Sequence, residues 1–267
     1  MAKISYNQST VGFADRGHGN ALVLLHGFIE SRSIWDDFVD SLSKNHRVIT
    51  IDLPGHGESD SLGHIHTMEE MAGVVKAVLN HLSVTRCVMI GHSMGGYTAL
   101  AFAEAWPEMV VGLGLFHSTA AADTEEGRKT RDKAIGVIRQ NRKDFLFQFI
   151  PSLFADVNRD NLRPVTDKLI AAASDMSAEA IIAAQEGMKV RADHRDLLRQ
   201  APFPVLFIVG KQDVRIPVDG ILPQVALPRH SYSLILDDVG HMGWAEAPEV
   251  TLRVVKMFAE ACTTQSL

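Results

Sequence analysis

Apolar residues along the chain follow two rhythms. Short runs rich in Val, Ile and Leu, at Ala21 to Leu25, Arg47 to Ile51, Arg86 to Ile90, Val110 to Phe116 and Phe203 to Val209, read as buried strands. Two shorter strands are predicted around Ile4 to Tyr6 and Thr10 to Ala14, and a last one at Ser231 to Leu236. Between them lie segments of helical period. Ser31 to Ser43 is one; another starts near Thr67, where Glu70 completes a capping box, and carries Met71, Val74, Val75, Val78, Leu79 and Leu82 on one face. Met94 to Trp106 is stopped by Pro107, and Pro248 to Cys262 closes the chain. Strands alternating with helices predict the α/β class, with a mostly parallel sheet.

The rhythm lapses once. From about Thr119 to Gln200 no strand is expected, and the pattern reads as several helices broken at Pro151, around Asn158, at Pro164 and around Ser177. The expected organisation is therefore a core of residues 1–118 and 201–267 with a helical insertion over 119–200. A length of 267 residues suits one α/β domain with such an insertion.

Composition narrows the partners. Apolar residues make up 46% and charged residues 22%, which is ordinary globular usage and excludes a disordered chain. The net charge of -6 is spread without basic blocks, which argues against nucleic acid. The opening residues lack a signal peptide's apolar stretch and no run is long enough to span a bilayer, so a cytoplasmic protein without membrane contact is expected. Cys87 and Cys262 lack metal-ligand spacing and are expected to be reduced, packed thiols. His64 and His66 have an H-x-H spacing but no accompanying cluster, so no metal or other cofactor is expected.

Candidate chemistry centres on Gly91-His92-Ser93-Met94-Gly95. A Gly-x-Ser-x-Gly pattern arises by chance in roughly one chain in ten of this size, but here it joins a buried strand to a helix. In that setting the serine occupies a tight turn with its hydroxyl raised above the sheet. The helix N-terminus turns backbone N–H groups toward negative charge developing there, so the Met94 N–H is half of an oxyanion site.

Five segments together resemble the α/β-hydrolase superfamily: His26-Gly27-Phe28, DLPGHGES at Asp52 to Ser59, the elbow GHSMGG, VGKQDVRIP at Val209 to Pro217, and GHMGWAEAP at Gly240 to Pro248. The likeness spans Leu22 to Phe258. It implies an eight-stranded, mostly parallel sheet with helices on both faces and a helical cap inserted after strand 6. It also implies a nucleophile-acid-base order, met here by Ser93, Asp213 and His241, and a second oxyanion donor at the Phe28 N–H. Asp123 is a rival acid, while Asp237 and Asp238 read as turn residues. His26 and His92 are expected to bond loop backbone.

For the pocket, His117 is expected at the wall beside the cap hinge, with Phe145, Phe149 and Phe154 supplying an apolar stripe. Trp35 and Trp244 are expected to pack, and the cap cations Lys189, Arg191 and Arg195 to lie on solvated faces. The resemblance implies a cofactor-free serine hydrolase, foremost a carboxylesterase acting on small or medium acyl esters through an acyl-enzyme. Carbon-carbon bond hydrolysis of ring-fission products and a slow-turnover ligand receptor are the alternatives; the former needs a clamp for an acidic group, and none is evident in the cap sequence. Acyl transfer to peroxide, thioester hydrolysis and aminopeptidase activity also fit the framework. Epoxide hydrolysis and dehalogenation are disfavoured because they place a carboxylate where Ser93 stands. The sequence leaves oligomeric state open.

Overall fold

A computed structural model describes residues 2–264. One sheet of eight strands organises the chain in the order β1-β2-β4-β3-β5-β6-β7-β8. These are β1 (Ala2–Tyr6), β2 (Ser9–Gly17), β3 (Ala21–Leu25), β4 (Arg47–Ile51), β5 (Cys87–His92), β6 (Val110–Phe116), β7 (Val205–Gly210) and β8 (Ser231–Leu236). β2 runs antiparallel to β1 and β4, and every other pairing is parallel. β3, β5 and β7 are buried along their whole length, which is why they read as continuous apolar runs rather than alternating ones.

The connecting helices of the core are α1 (Asp36–Leu42), α2 (Met68–His81) and α3 (Met94–Ala105). The expected helix over Ser31 to Ser43 begins instead as a 3-10 turn, Arg32–Trp35, which seats Trp35 against Phe38 and Phe116. α2 starts as its capping box predicts: the Thr67 hydroxyl accepts the Glu70 N–H at 3.1 Å. Cys87 and Cys262 are buried, and burial pushes both thiols up to about 12.

After β6 come four helices: α4 (Glu125–Phe149), α5 (Arg163–Ser174), α6 (Ala178–Lys189) and α7 (Arg195–Gln200). α4 is longer than the sequence pattern suggests, because Asn141 leaves helical φ/ψ and only kinks it. Pro164 lies in the first turn of α5, where its missing N–H costs nothing, so it starts a helix rather than breaking one. α8 (Val218–Val225), α9 (Gly243–Glu246) and α10 (Pro248–Thr264) complete the chain. No helix among the described residues is long and apolar enough to cross a membrane.

Candidate active site

Parallel strands in register bring their carboxyl ends to one edge, and the loops leaving β3, β5, β7 and β8 carry Phe28, Ser93, Asp213 and His241. Ser93 caps α3 with φ 50° and ψ -113°, a conformation L-residues seldom adopt. Its neighbours enforce the turn. A Cβ on Gly91 would fall 2.2 Å from the Gly95 backbone, and one on Gly95 would fall 2.6 Å from the carbonyls of Leu25 and His26. The Ser93 N–H donates to the Phe116 carbonyl at 2.9 Å, and the Ser118 hydroxyl donates to the Ser93 carbonyl at 2.8 Å.

Ser93 Oγ lies 2.9 Å from His241 Nε2, and His241 Nδ1 lies 2.7 Å from Asp213 Oδ2. A carboxylate only accepts, so the Nδ1 proton faces Asp213 and the bare Nε2 faces the Ser93 hydroxyl. Asp213 Oδ1 accepts the N–H groups of Arg215 at 2.8 Å and Ile216 at 2.9 Å. Burial alone would raise the Asp213 carboxyl. Attraction to His241 and hydrogen bonds from His117 and His241 outweigh it and hold the group well below the usual carboxylate range.

The N–H groups of Phe28 and Met94 have no hydrogen-bond partner among the described residues. They remain available to an oxygen bound at the elbow.

Glu30, which sequence reasoning passed over, is a buried acid in the same loop as Phe28. Its Oε2 accepts the Gly27 N–H at 2.6 Å and lies 2.8 Å from His92 Nδ1, while His92 Nε2 donates to the His241 carbonyl at 2.8 Å. With a carboxylate on one nitrogen and a carbonyl on the other, the ring carries both protons. Desolvation opposes the charge on each partner, but their mutual attraction prevails and raises His92 while lowering Glu30. An ion pair thus joins the Phe28 loop to the His241 loop. His92 therefore reaches loop backbone, as expected, but through one ring nitrogen only.

A second acid steadies the His241 loop from the other side. Glu246 accepts the N–H groups of Gly240 and Met242 at 3.0 Å each, and also those of Ala155 at 2.8 Å and the Asn158 side chain at 2.9 Å. The His241 N–H itself donates to the Leu153 carbonyl at 2.7 Å.

The cavity above Ser93 holds about 350 Å³ and is lined by Phe28, Phe145, Phe149, Leu153 and Ile216, among others. Phe149 meets Phe28 edge-on at 5.9 Å and stacks on Phe145 at 5.0 Å. Two pocket expectations are corrected. Phe154 turns into the core, where it is fully buried, and His117 lies behind the site, with Nδ1 3.2 Å from Asp213 Oδ2. The cause at His117 is its φ of 47°, directly after β6, which turns the ring toward Asp213. Burial lowers its pKa, so it stands there neutral.

Asp123 is far from the rival role considered for it: it takes Arg131 and Arg191 instead of a histidine. Arg191 is buried against the Tyr97 ring, 4.2 Å from its centroid, contrary to the solvated face expected of it. Lys189 pairs with Asp132 and Glu186, and Arg195 with Asp193, at the surface. His26 bonds backbone at Gly27 and Leu53, as expected. His66 is buried beside Ser61 and joins no metal-ligand cluster; among the described residues the one such group is His117, Asp213 and His241. Within it, Nδ1 of both His117 and His241 is already hydrogen-bonded to Asp213 Oδ2.

Comparison with known proteins places the chain in a family. Residues 20–248 match the model of the alpha/beta hydrolase fold, so the chain belongs to that family. A thermophilic esterase from Thermogutta terrifontis, solved with malate bound, superimposes with a TM-score of 0.91 at 30% identity, covering 98% of each chain. A 2-hydroxy-6-oxononadienedioate/2-hydroxy-6-oxononatrienedioate hydrolase of Paraburkholderia phymatum is 28% identical over 88% of this chain and 85% of its own length. The dihydrolipoyllysine-residue acetyltransferase component of the acetoin cleaving system of Pseudomonas putida is 30% identical over 86% of this chain. The chain spans only 61% of that relative's length. Hydrolase activity is what the family and these relatives support, and the relatives include both an esterase and a carbon-carbon bond hydrolase.

Proposed function

We propose that the protein is a serine hydrolase acting on carboxylic esters of small or medium acyl groups through an acyl-enzyme. The observation that carries this reading is the hydrogen-bond chain from Ser93 Oγ through His241 to Asp213, at 2.9 and 2.7 Å. His241 Nε2 takes the hydroxyl proton as Ser93 attacks the ester carbonyl, then returns it to the departing alcohol. Water, deprotonated by the same nitrogen, releases the acid and restores Ser93. Asp213 fixes the tautomer and offsets the charge of the imidazolium. The oxygen of each tetrahedral intermediate falls to the unpaired N–H groups of Phe28 and Met94, each contributing about 3 kcal/mol because the charge they face exists only in the transition state.

A cavity of about 350 Å³ with aromatic walls suits acyl chains of this size. The test is a series of p-nitrophenyl esters with Ser93→Ala beside the parent. Turnover lost in the variant is the expected result, whereas equal rates in both would sink the proposal and favour a receptor role. A second reading is supported by the Paraburkholderia relative: hydrolysis of a carbon-carbon bond beside a ketone, with the same nucleophile and base. A vinylogous 1,5-diketone assayed beside the esters separates the two.

A further inference from the structure

Part of the cavity wall is not used by the chemistry at Ser93: Asp123, Thr130, Arg131 and Gln185 from the helical segment, with Tyr97 from α3. Asp123 receives Arg131 Nε at 2.5 Å and is also bonded by Arg191. Two guanidinium groups therefore share one carboxylate, and neither has another ion-pair partner among the described residues. The cluster keeps a net positive charge.

The two arginines differ in what they have left to give. Arg191 spends its donors on the Ala121 and Met188 carbonyls and on Asp123, and lies over the Tyr97 ring. It holds the cluster together. Arg131 lines the cavity, giving Nη1 to Gln185 Oε1 at 3.0 Å and to Met188 Sδ at 3.5 Å, and only one long contact from Nη2, 3.4 Å to Asp123. One Nη2 N–H is thereby left uncommitted on a guanidinium that lines the same cavity as Ser93 and His241. A second cation, Arg215, lines the same cavity with its guanidinium 4.4 Å from the Phe149 ring centroid, and it has no carboxylate partner among the described residues. Excess positive charge on the wall of a partly dry cavity is costly until an anion meets it, and a guanidinium recognises a carboxylate better than any neutral group.

We propose that this wall, centred on Arg131, binds a carboxylate carried by the substrate, so that the preferred substrates are half-esters of short dicarboxylic acids. The inference rests on Ser93 being the nucleophile and adds which acyl groups reach it; it also supplies the acidic-group clamp that the cap sequence did not reveal, so the choice between ester and carbon-carbon bond stays with the diketone assay. The clamp belongs to the acyl half because that half stays on Ser93 after the alcohol leaves. One contact then steadies both attack and deacylation, whereas a clamp on the alcohol would hold back the first product. Asp123 does not repel the incoming anion, since two arginines cover it.

The test compares the mono-p-nitrophenyl ester of glutarate with the uncharged p-nitrophenyl valerate, read as the ratio of their kcat/KM values. Arg131→Gln is expected to lower that ratio 10- to 100-fold, and Arg131→Lys, which keeps the charge but loses the fork, by less. A ratio unmoved by Arg131→Gln would overturn the proposal while Ser93-dependent turnover of valerate left the esterase reading standing. Loss of Ser93 dependence on valerate would strike that reading alone, because the anion site has its own readout. Free glutarate should raise the melting temperature of Ser93→Ala, and glutaramide should not. Equal shifts from the two ligands would sink the carboxylate site, even if Arg131→Gln failed to fold.

Discussion

The two sides of the cavity are held by different means. On the sheet side, each group sits at the end of a buried strand and is fastened by backbone: Asp213 Oδ1 takes two N–H groups, Glu30 takes the Gly27 N–H, and Ser93 is locked by the packing of Gly91 and Gly95. On the helical side, position comes from side chains meeting side chains, as in Asp123 with Arg131 and Arg191 or Phe145 with Phe149. Backbone anchors fix a group to a fraction of an ångström, which suits proton transfer. Side-chain anchors can be exchanged without disturbing the sheet, which suits the choice of substrate.

The contrast can be broken at several points. Asp213→Asn attacks the sheet side at its centre, and turnover of a p-nitrophenyl ester should fall by about 10³ to 10⁴, as loss of an orienting carboxylate does elsewhere. Unchanged turnover would refute the assignment of the acid. Glu30→Gln strands the charge on His92 and loosens both the Phe28 and His241 loops. We expect kcat to drop roughly 10- to 100-fold with KM nearly constant, and a loss of about 3 kcal/mol in stability, seen in denaturant titration. A matching rise in KM instead would place Glu30 in ground-state binding.

Acid should weaken the sheet side as a whole. His56 and His66 are buried neutral, and desolvation holds them at about 3 and about 4 against the ordinary 6.5. An unfolded chain takes up those protons first, so stability is full above about pH 6.5 and falls as pH drops toward 4, by a few kcal/mol in all. Urea midpoints across that window measure it, and a flat profile would contradict the burial of these rings. The smallest effect belongs to the helical side: Phe149→Ala should shift preference among neutral esters toward longer acyl chains by about threefold to tenfold, without moving the pH profile. Loss of all activity would show that the aromatic wall also positions the base.

The same division explains what the sequence could reveal. β3, β4, β6 and β8 were readable to the residue, the first three because short, buried, β-branched and apolar runs leave little freedom. Ser93, Asp213 and His241 followed from those strand ends and the family resemblance. Glu30 was missed although its signal was present: an acid three residues beyond Gly27 can reach back to that N–H, as a helix cap does. The helical side was less legible. Residues 123, 131 and 191 are joined only in three dimensions, and charges on amphipathic helices look alike whether they face solvent or one another. Phe154 shows the same limit for apolar residues, since a stripe of phenylalanines does not say which ring turns into the core and which toward the cavity.

Glu246 sets the terms on which the two sides can separate. One carboxylate grips both the strand-end loop around His241 and the segment at Ala155 and Asn158. The helical segment is in effect buttoned to the sheet side at that corner. A movement of the helical segment that kept these bonds would be limited to a tilt about this corner. Lifting the whole helical segment free would break the grip on the loop that holds His241, so that, under the proposed mechanism, an enzyme fully open would also be an enzyme disarmed.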